Sequence, residues 1–213
     1  MRASYRLRVD IEQIAPRLWW WTASHPDWSP EDLEDGKGWE QVVSSYAHLA
    51  GETLVLFDPL IEHWDPLDRL VEEHGAPLVL ITIFWHTRSS QELLDRYGGA
   101  SLWAYERAAD WVGERARVTN TFAPGDDLPG GVEAISMRRI EEVAYRLPDH
   151  NAVVIGDTIL RHGDLAELCP PTWVRKSETF APAEQAVRLL MEQAPHQLLL
   201  THGGPTDPKA LQM

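Results

Sequence analysis

Residues 153–157 read Val-Val-Ile-Gly-Asp, and residues 198–204 read Leu-Leu-Leu-Thr-His-Gly-Gly. Each stretch is a short apolar run that ends in a side chain able to bind a metal ion, Asp157 in the first and His202 in the second. A third apolar run, residues 78–86, ends in the same way at His86. Short apolar runs that stop at a polar residue and a turn are typical of buried strands. Because α/β proteins place their chemistry at strand ends, these three residues are the first candidates for a functional site.

Helices are predicted between the strands. The clearest begins at Asp65-Pro66 and ends at Gly75. Residues 89–92, Ser-Ser-Gln-Glu, have the pattern of a capping box and are expected to open a second helix. Residues 101–113 are predicted to form a third helix and residues 182–193 a fourth, each with apolar side chains on one face.

The order of these segments resembles that of the metallo-β-lactamase-fold hydrolases. Gly156-Asp157-Thr158 and Thr201-His202-Gly203 are similar to the late metal motifs of that family. Residues 54–59, Leu-Val-Leu-Phe-Asp-Pro, resemble its early strand that ends in an aspartate, which is Asp58 here. The resemblance covers nearly the whole chain. It implies an α/β (α+β) fold, a four-layer αββα sandwich formed by a single domain over residues 1–213, and a plain doubly wound α/β fold is the alternative.

The sequence departs from this family at the main metal-binding signature, His-x-His-x-Asp-His. The signature positions carry residues that do not bind metals: Ile83, Trp85, Thr87 and Arg88. His86 lies one residue out of register, and in a strand such a slip turns a side chain to the opposite face, although the rule weakens in a turn. The family's next histidine is absent from residues 138–142. Of the ligands that the resemblance implies, only Asp157 and His202 remain.

Two ligands hold a divalent ion poorly, since catalytic zinc usually has three protein ligands. A guanidinium at Arg88 would also repel such an ion. We therefore expect Arg88 to form an ion pair with Asp157, or with Glu141 or Glu142, where the metal would otherwise lie. The ring of Trp85 is expected to fill the cavity left by a missing ligand. The residues predicted to form this pocket are Trp85, Arg88, Glu142 and Asp58.

Three functions are open from the sequence. The first is a non-catalytic or small-ligand-binding relative of the hydrolases, with an eroded metal site and no cofactor. The second is a hydrolase of a small ester, thioester or lactone, in which His86, Asp157 and His202 hold one divalent ion (Zn, Mn or Fe) with Glu142 as a fourth group. The third is metal-free acid–base catalysis by His86, Asp157 and His202.

Composition narrows the choice of partners. Acidic residues outnumber basic ones 33 to 19, and a net charge of −14 disfavours nucleic acid as a partner. No apolar stretch approaches the ~20 residues that span a membrane, and the N-terminal residues do not read as a signal peptide. The single cysteine, Cys169, excludes an internal disulfide and favours the cytoplasm.

The chain contains ten tryptophans, a large number for 213 residues. Packing in the core explains most of them, and an aromatic pocket or a subunit interface is the alternative. His25 follows the Trp19-Trp20-Trp21 stretch and is expected to lie at the rim of a pocket. A small molecule and a second copy of this chain are therefore the candidate partners, and no membrane partner is expected.

Overall fold

The computed structural model describes residues 11–32, 38–173 and 181–213. The helices in these ranges are α1 (Trp64–His74), α2 (Ser90–Arg96), α3 (Ala109–Gly113) and α4 (Ala181–Glu192). The first seven strands are β1 (Glu12–Ala15), β2 (Leu18–Ser24), β3 (Val42–Ala50), β4 (Thr53–Phe57), β5 (Leu78–Leu80), β6 (Ser101–Tyr105) and β7 (Asn120–Phe122). The remaining strands are β8 (Glu133–Ser136), β9 (Val143–Leu147), β10 (Ala152–Ile155), β11 (Ile159–His162), β12 (Leu165–Leu168), β13 (Gln197–Leu200), β14 (Gly204–Thr206) and β15 (Leu211–Gln212).

The first sheet contains β1 to β7 in chain order. Strands β1 to β4 pair antiparallel, and β4 to β7 pair parallel. Parallel neighbours need a crossover connection, and α1, α2 and α3 lie in the three crossovers. Because β4 and β5 are parallel neighbours, their carboxyl ends lie at the same edge of the sheet. Asp58 follows β4 at this edge, and the segment that carries His86 follows β5.

The second sheet has five strands in the order β14-β13-β10-β9-β8. Strands β10 and β13 are parallel, with Val154 opposite Leu199, so their carboxyl ends also coincide. Asp157 and His202 each follow one of these two ends by two residues. A smaller third sheet pairs β11, β12 and β15.

The two faces of the second sheet pack against different layers of the protein, because alternating side chains of its strands belong to different cores. Val154 and Leu199 belong to the core shared with the first sheet. Their neighbours Val153 and Leu198 belong to a second core, in which α4 contributes Val187 and Leu190. Because successive residues of a strand point to opposite faces, one face of this sheet packs on the first sheet and the other packs on α4. The predicted αββα sandwich is confirmed. None of the helices in the described ranges has the length and apolar character to cross a bilayer.

The predicted helices at 65–75 and 182–193 are confirmed. The prediction of a single helix over residues 101–113 is wrong. Residues 101–105 form β6, which pairs with β5 on one side and β7 on the other. Only α3 at the end of that segment is helical, because sheet pairing overrides the helical spacing of the apolar residues. The capping box at Ser89 is also not formed, since the Ser89 hydroxyl accepts the Ile61 N–H at 3.0 Å instead.

Candidate functional site

The facing edges of the two sheets bring His86, Asp157 and His202 into one cluster. His86 Nε2 and His202 Nε2 each lie 3.1 Å from Asp157 Oδ1. One ligand atom from each of the three residues lies within 4.8 Å of the others. The residues are only 3%, 4% and 7% exposed, in chain order. Three potential metal-ligand atoms therefore converge on one small, buried space.

The central oxygen of this cluster is Asp157 Oδ1. It is buried and lies 3.1 Å from His86 Nε2 and from His202 Nε2, close enough to accept a hydrogen bond from either ring when that nitrogen carries a proton. Two imidazole nitrogens and one carboxylate oxygen that share one small, buried space also fit a divalent ion that accepts mixed N/O ligands.

Asp58 orients His86 from the other side. Asp58 Oδ2 lies 2.9 Å from His86 Nδ1 and accepts the Thr82 hydroxyl at 2.5 Å. Its other oxygen accepts the Thr82 N–H at 2.7 Å, and Asp58 is fully buried. In a neutral imidazole, a proton held at Nδ1 by a carboxylate leaves the lone pair on Nε2. This is the tautomer that a metal-binding histidine needs.

The local backbone explains how His86 reaches the cluster from its out-of-register position. Residues 84–87 form a 3₁₀ turn rather than a continuation of β5, and His86 has φ −81° and ψ 24°. The alternation of a strand does not apply in a turn, so the one-residue slip does not direct His86 away from Asp157.

Trp85 also contacts the cluster. Its Nε1 donates to Asp157 Oδ2 at 2.8 Å. Its ring packs edge-to-face on Phe84, with the ring centroids 4.6 Å apart. Trp85 therefore satisfies the outer oxygen of Asp157 and leaves Oδ1 to the two histidines.

The predicted ion pair of Arg88 with Asp157, Glu141 or Glu142 is wrong. Arg88 Nη1 donates to the main-chain oxygens of Ser44 at 3.1 Å and Asp58 at 2.8 Å. Its Nε and Nη2 are buried without a hydrogen-bond partner. The oxygens of Asp157 already face Trp85 and the two histidines, so the guanidinium lies against carbonyl groups of the first sheet instead.

Glu142 does not join the cluster as a fourth ligand. Its Oε2 pairs with Arg139 Nη1, and its Oε1 accepts the Thr158 N–H at 3.0 Å. Both members of this pair are buried, at 0% and 2% exposure. Both oxygens of the Glu142 carboxylate therefore already have partners, one of them in the loop that carries Asp157.

The electrostatics of the cluster reflect burial opposed by close charges. Burial alone would raise the pKa of Asp157, but His86 and His202 hold it well below its usual range. Burial and Arg88 lower the pKa of His86, yet Asp157 and Asp58 together bring it above the ordinary value. For His202, burial outweighs the effect of Asp157 and the pKa falls. Burial also lowers the pKa of Arg88.

The cluster opens into a cleft of about 350 Å³. Its lining residues are His25, Asp27, Trp39, Trp85, His86, Arg115, Asp157, Trp173 and His202. The expectation that His25 lies at such a site agrees with this lining, whereas Arg88, Glu142 and Asp58 are not among the lining residues. A larger depression of about 800 Å³ between Gly125 and Gln193 contains none of the candidate residues and has mostly acidic polar side chains.

Four lining residues were missed from the sequence: Asp27, Trp39, Arg115 and Trp173. They come from separate loops, and only the unusual number of tryptophans indicated an aromatic wall. Trp39 packs edge-to-face on both His25 and His202, at centroid distances of 5.0 and 5.5 Å. Burial, together with Arg88, lowers the pKa of His25 to about 4, so its imidazole is neutral at physiological pH.

Comparison with solved structures finds the same architecture in many proteins. A metallo-β-lactamase from Pontibacter korlensis superposes with a TM-score of 0.67 at 16% identity, with 94% of each chain covered. The metallo-β-lactamase TMB-1 gives a TM-score of 0.70 at 13% identity, covering 94% of this chain and 92% of that one. The chain has the metallo-β-lactamase fold. The flavodiiron core of Flv1 from Synechocystis sp. PCC6803 shares it at a TM-score of 0.68 and 16% identity, covering 94% of this chain and 57% of that one.

No protein-family model matches the sequence, and no curated protein matches it significantly. At 13–16% identity the structural matches establish the metallo-β-lactamase fold and not an activity. The resemblance inferred from Asp58, Asp157 and His202 is therefore confirmed at the level of the fold.

Proposed function

We propose that this protein is a hydrolase of a small ester, thioester or lactone that uses one divalent ion. The observation that carries the proposal is the cluster itself, in which buried Asp157 Oδ1 lies 3.1 Å from two imidazole nitrogens and the three ligand atoms lie within 4.8 Å of one another. His86, Asp157 and His202 would hold the ion. When bound, a divalent ion supplies Lewis-acid activation of a carbonyl group and of water.

The residues around the cluster prepare it for this role. Asp58 fixes the tautomer and the orientation of His86 through its contact with Nδ1. Trp85 donates a hydrogen bond to the outer oxygen of Asp157. Such partners of metal-binding residues tune both affinity and activity. The three protein ligands are the number found in catalytic zinc sites, which keep one position open.

The cleft determines what is bound. Three indole rings, those of Trp39, Trp85 and Trp173, supply flat apolar surface for an acyl or aromatic group. The volume of about 350 Å³ is at the lower end for small-molecule sites, so the cleft suits a compact substrate. Neutral His25 can exchange hydrogen bonds with a substrate at the rim, because burial holds its pKa at about 4.

A metal analysis with matched variants tests the proposal. Protein purified without chelators and then loaded with zinc, manganese or iron(II) is expected to hold about one ion per chain by elemental analysis. His202→Ala and Asp157→Asn should lose the ion and the hydrolysis of small esters, thioesters or lactones. His196→Ala is the control, since His196 is exposed and does not belong to the cluster. Wild-type protein that holds no ion after loading would refute the proposal.

A non-catalytic small-ligand-binding protein is the second candidate. The observation that favours it is that Trp85 donates to Asp157 where the family signature has a histidine, while Arg88 places a partly buried cation nearby. Both features stabilise the Asp157 carboxylate without an ion. Quenching of tryptophan fluorescence by a panel of small acyl compounds, in protein that binds no metal, would support this candidate instead.

We also propose that the partner is a small molecule rather than a nucleic acid, and that the protein acts in the cytoplasm. The net charge of −14 supports the first statement, and the single cysteine, buried Cys169, supports the second. Retention of the protein on heparin or DNA at physiological salt would contradict the first statement.

A further inference from the structure

Arg139 and Glu142 form a buried salt bridge, and the chemistry proposed above does not use them. We propose that they are positioning residues, which hold the Asp157 loop and the Trp173 segment in a fixed relation and so set the metal affinity and the shape of the cleft. The part of this inference that concerns metal rests on the proposed function, whereas the part that concerns Trp173 does not.

The contacts of the pair reach both sides of the cleft. Glu142 Oε1 accepts the N–H of Thr158, the residue after Asp157, at 3.0 Å. Arg139 Nη2 donates to the main-chain oxygen of Trp173 at 3.0 Å. The ion pair between Arg139 Nη1 and Glu142 Oε2 joins these two contacts. A continuous chain of polar contacts therefore runs from the loop of a proposed metal ligand to an aromatic wall of the cleft.

Glu142 also packs against the backbone that precedes Asp157. A Cβ atom added at Gly156 would lie 3.1 Å from Glu142 Oε1 and 2.4 Å from Thr82 Oγ1. Gly156 is thus enclosed between Glu142 and Thr82, and Thr82 in turn binds Asp58. Moving Glu142 would therefore shift Asp157 relative to His86.

The turn that presents the pair is strained. Arg138, Ile140 and Glu141 have φ values of 57°, 41° and 50°, in a region that side chains with a Cβ rarely adopt. Such backbone persists where the surrounding structure imposes it, and it is frequent near functional sites. Because a buried ion pair is by itself weak evidence for stability, the strain and the pair together are better explained by positioning.

Four variants separate positioning from a structural role. Arg139→Met/Glu142→Leu replaces the buried pair by apolar side chains of similar size, which often preserves stability. Arg139→Lys keeps the charge but cannot contact both Glu142 and Trp173. Glu142→Gln removes the charge and keeps an acceptor for Thr158. The control is Arg188→Met/Glu184→Leu, which removes an exposed Arg–Glu pair on α4.

Two measurements are made on each variant: zinc affinity by competition with a chelator, and acrylamide quenching of Trp173. The Trp173 signal is taken as the difference between each protein and the same protein with Trp173→Phe. We expect the buried double variant and Glu142→Gln to bind zinc about 10–100-fold more weakly than wild type. We expect Arg139→Lys to increase quenching of Trp173 with a smaller loss of zinc affinity, and the control pair to leave both unchanged.

The outcomes distinguish this inference from the proposed function. A folded double variant with wild-type zinc affinity and wild-type Trp173 quenching overturns the inference. If wild-type protein binds no zinc, the proposed function fails, and Trp173 quenching alone decides: unchanged quenching in Arg139→Lys then overturns the inference. If the double variant does not fold, Arg139→Lys and Glu142→Gln give the same decision.

Discussion

Replacing Gly156 by alanine tests how tightly the turn before Asp157 is packed. The new Cβ would lie 2.4 Å from Thr82 Oγ1 and 2.9 Å from Thr82 Cβ, whereas ordinary contacts begin at 3.4 Å. Thr82 cannot rotate away without loss, because it is fully buried and its hydroxyl donates to Asp58 at 2.5 Å. The methyl group must therefore either displace the Asp157 loop or break the contact between Thr82 and Asp58.

The expected loss of stability follows from these two effects. Overpacking of a core costs about 1–3 kcal/mol. A hydrogen bond to a charged group contributes about 1.5–3 kcal/mol. Because the methyl group forces one of these two changes, we expect Gly156→Ala to lower the free energy of unfolding by roughly 1–3 kcal/mol. For a chain of this length, the melting temperature should fall by about 2–4 °C for each kcal/mol.

The measurement is urea unfolding followed by circular dichroism, with Gly98→Ala as the matched control. At Gly98 no heavy atom lies within 4 Å of an added Cβ, and its φ is not in the left-handed region. The control should therefore stay within about 0.5 kcal/mol of wild type. If Gly156→Ala is also within about 1 kcal/mol of wild type, the packing around Asp157 is looser than the contacts indicate.

Three further predictions concern other contacts. Trp85→Phe keeps the aromatic ring but leaves Asp157 Oδ2 without its donor, so the free energy of unfolding should fall by about 1–3 kcal/mol in urea titrations without metal; no change would show that the contact contributes nothing. Asp58→Asn should weaken zinc binding about 10–100-fold in chelator competition, and wild-type affinity would contradict its role in orienting the ligand. Burial lowers the pKa of His48 and of His150 below 6.5. Near and below pH 6.5 these two side chains therefore bind fewer protons in the folded state than in the unfolded state, so their contribution to stability should decrease as the pH falls below 6.5. Replacing both histidines with glutamine should flatten that decrease in unfolding curves measured from pH 7.5 to 5, and an unchanged slope would contradict the assignment.

Much of the secondary structure was predictable because its signals are local. The apolar runs before Asp157 and His202 form β10 and β13, and Gly75, with φ 90°, ends α1 as predicted. Residues 101–105 were not predictable in the same way, since their helical spacing of apolar residues competes with sheet pairing. The strands β5 and β7 on either side of β6 decide the outcome, and this information is not local.

The candidate site was also predictable only where its signals are local. The sequence by itself determined that Asp157 and His202 stand at strand ends and that the family signature lacks its ligands, because both facts depend on residue type and short-range pattern. Only the tertiary structure decided that His86 joins them, through a 3₁₀ turn and a contact with Asp58 28 residues away. It likewise decided that Arg88 binds main-chain oxygens instead of Asp157. Side-chain partners between distant segments depend on packing, and no local pattern encodes that geometry.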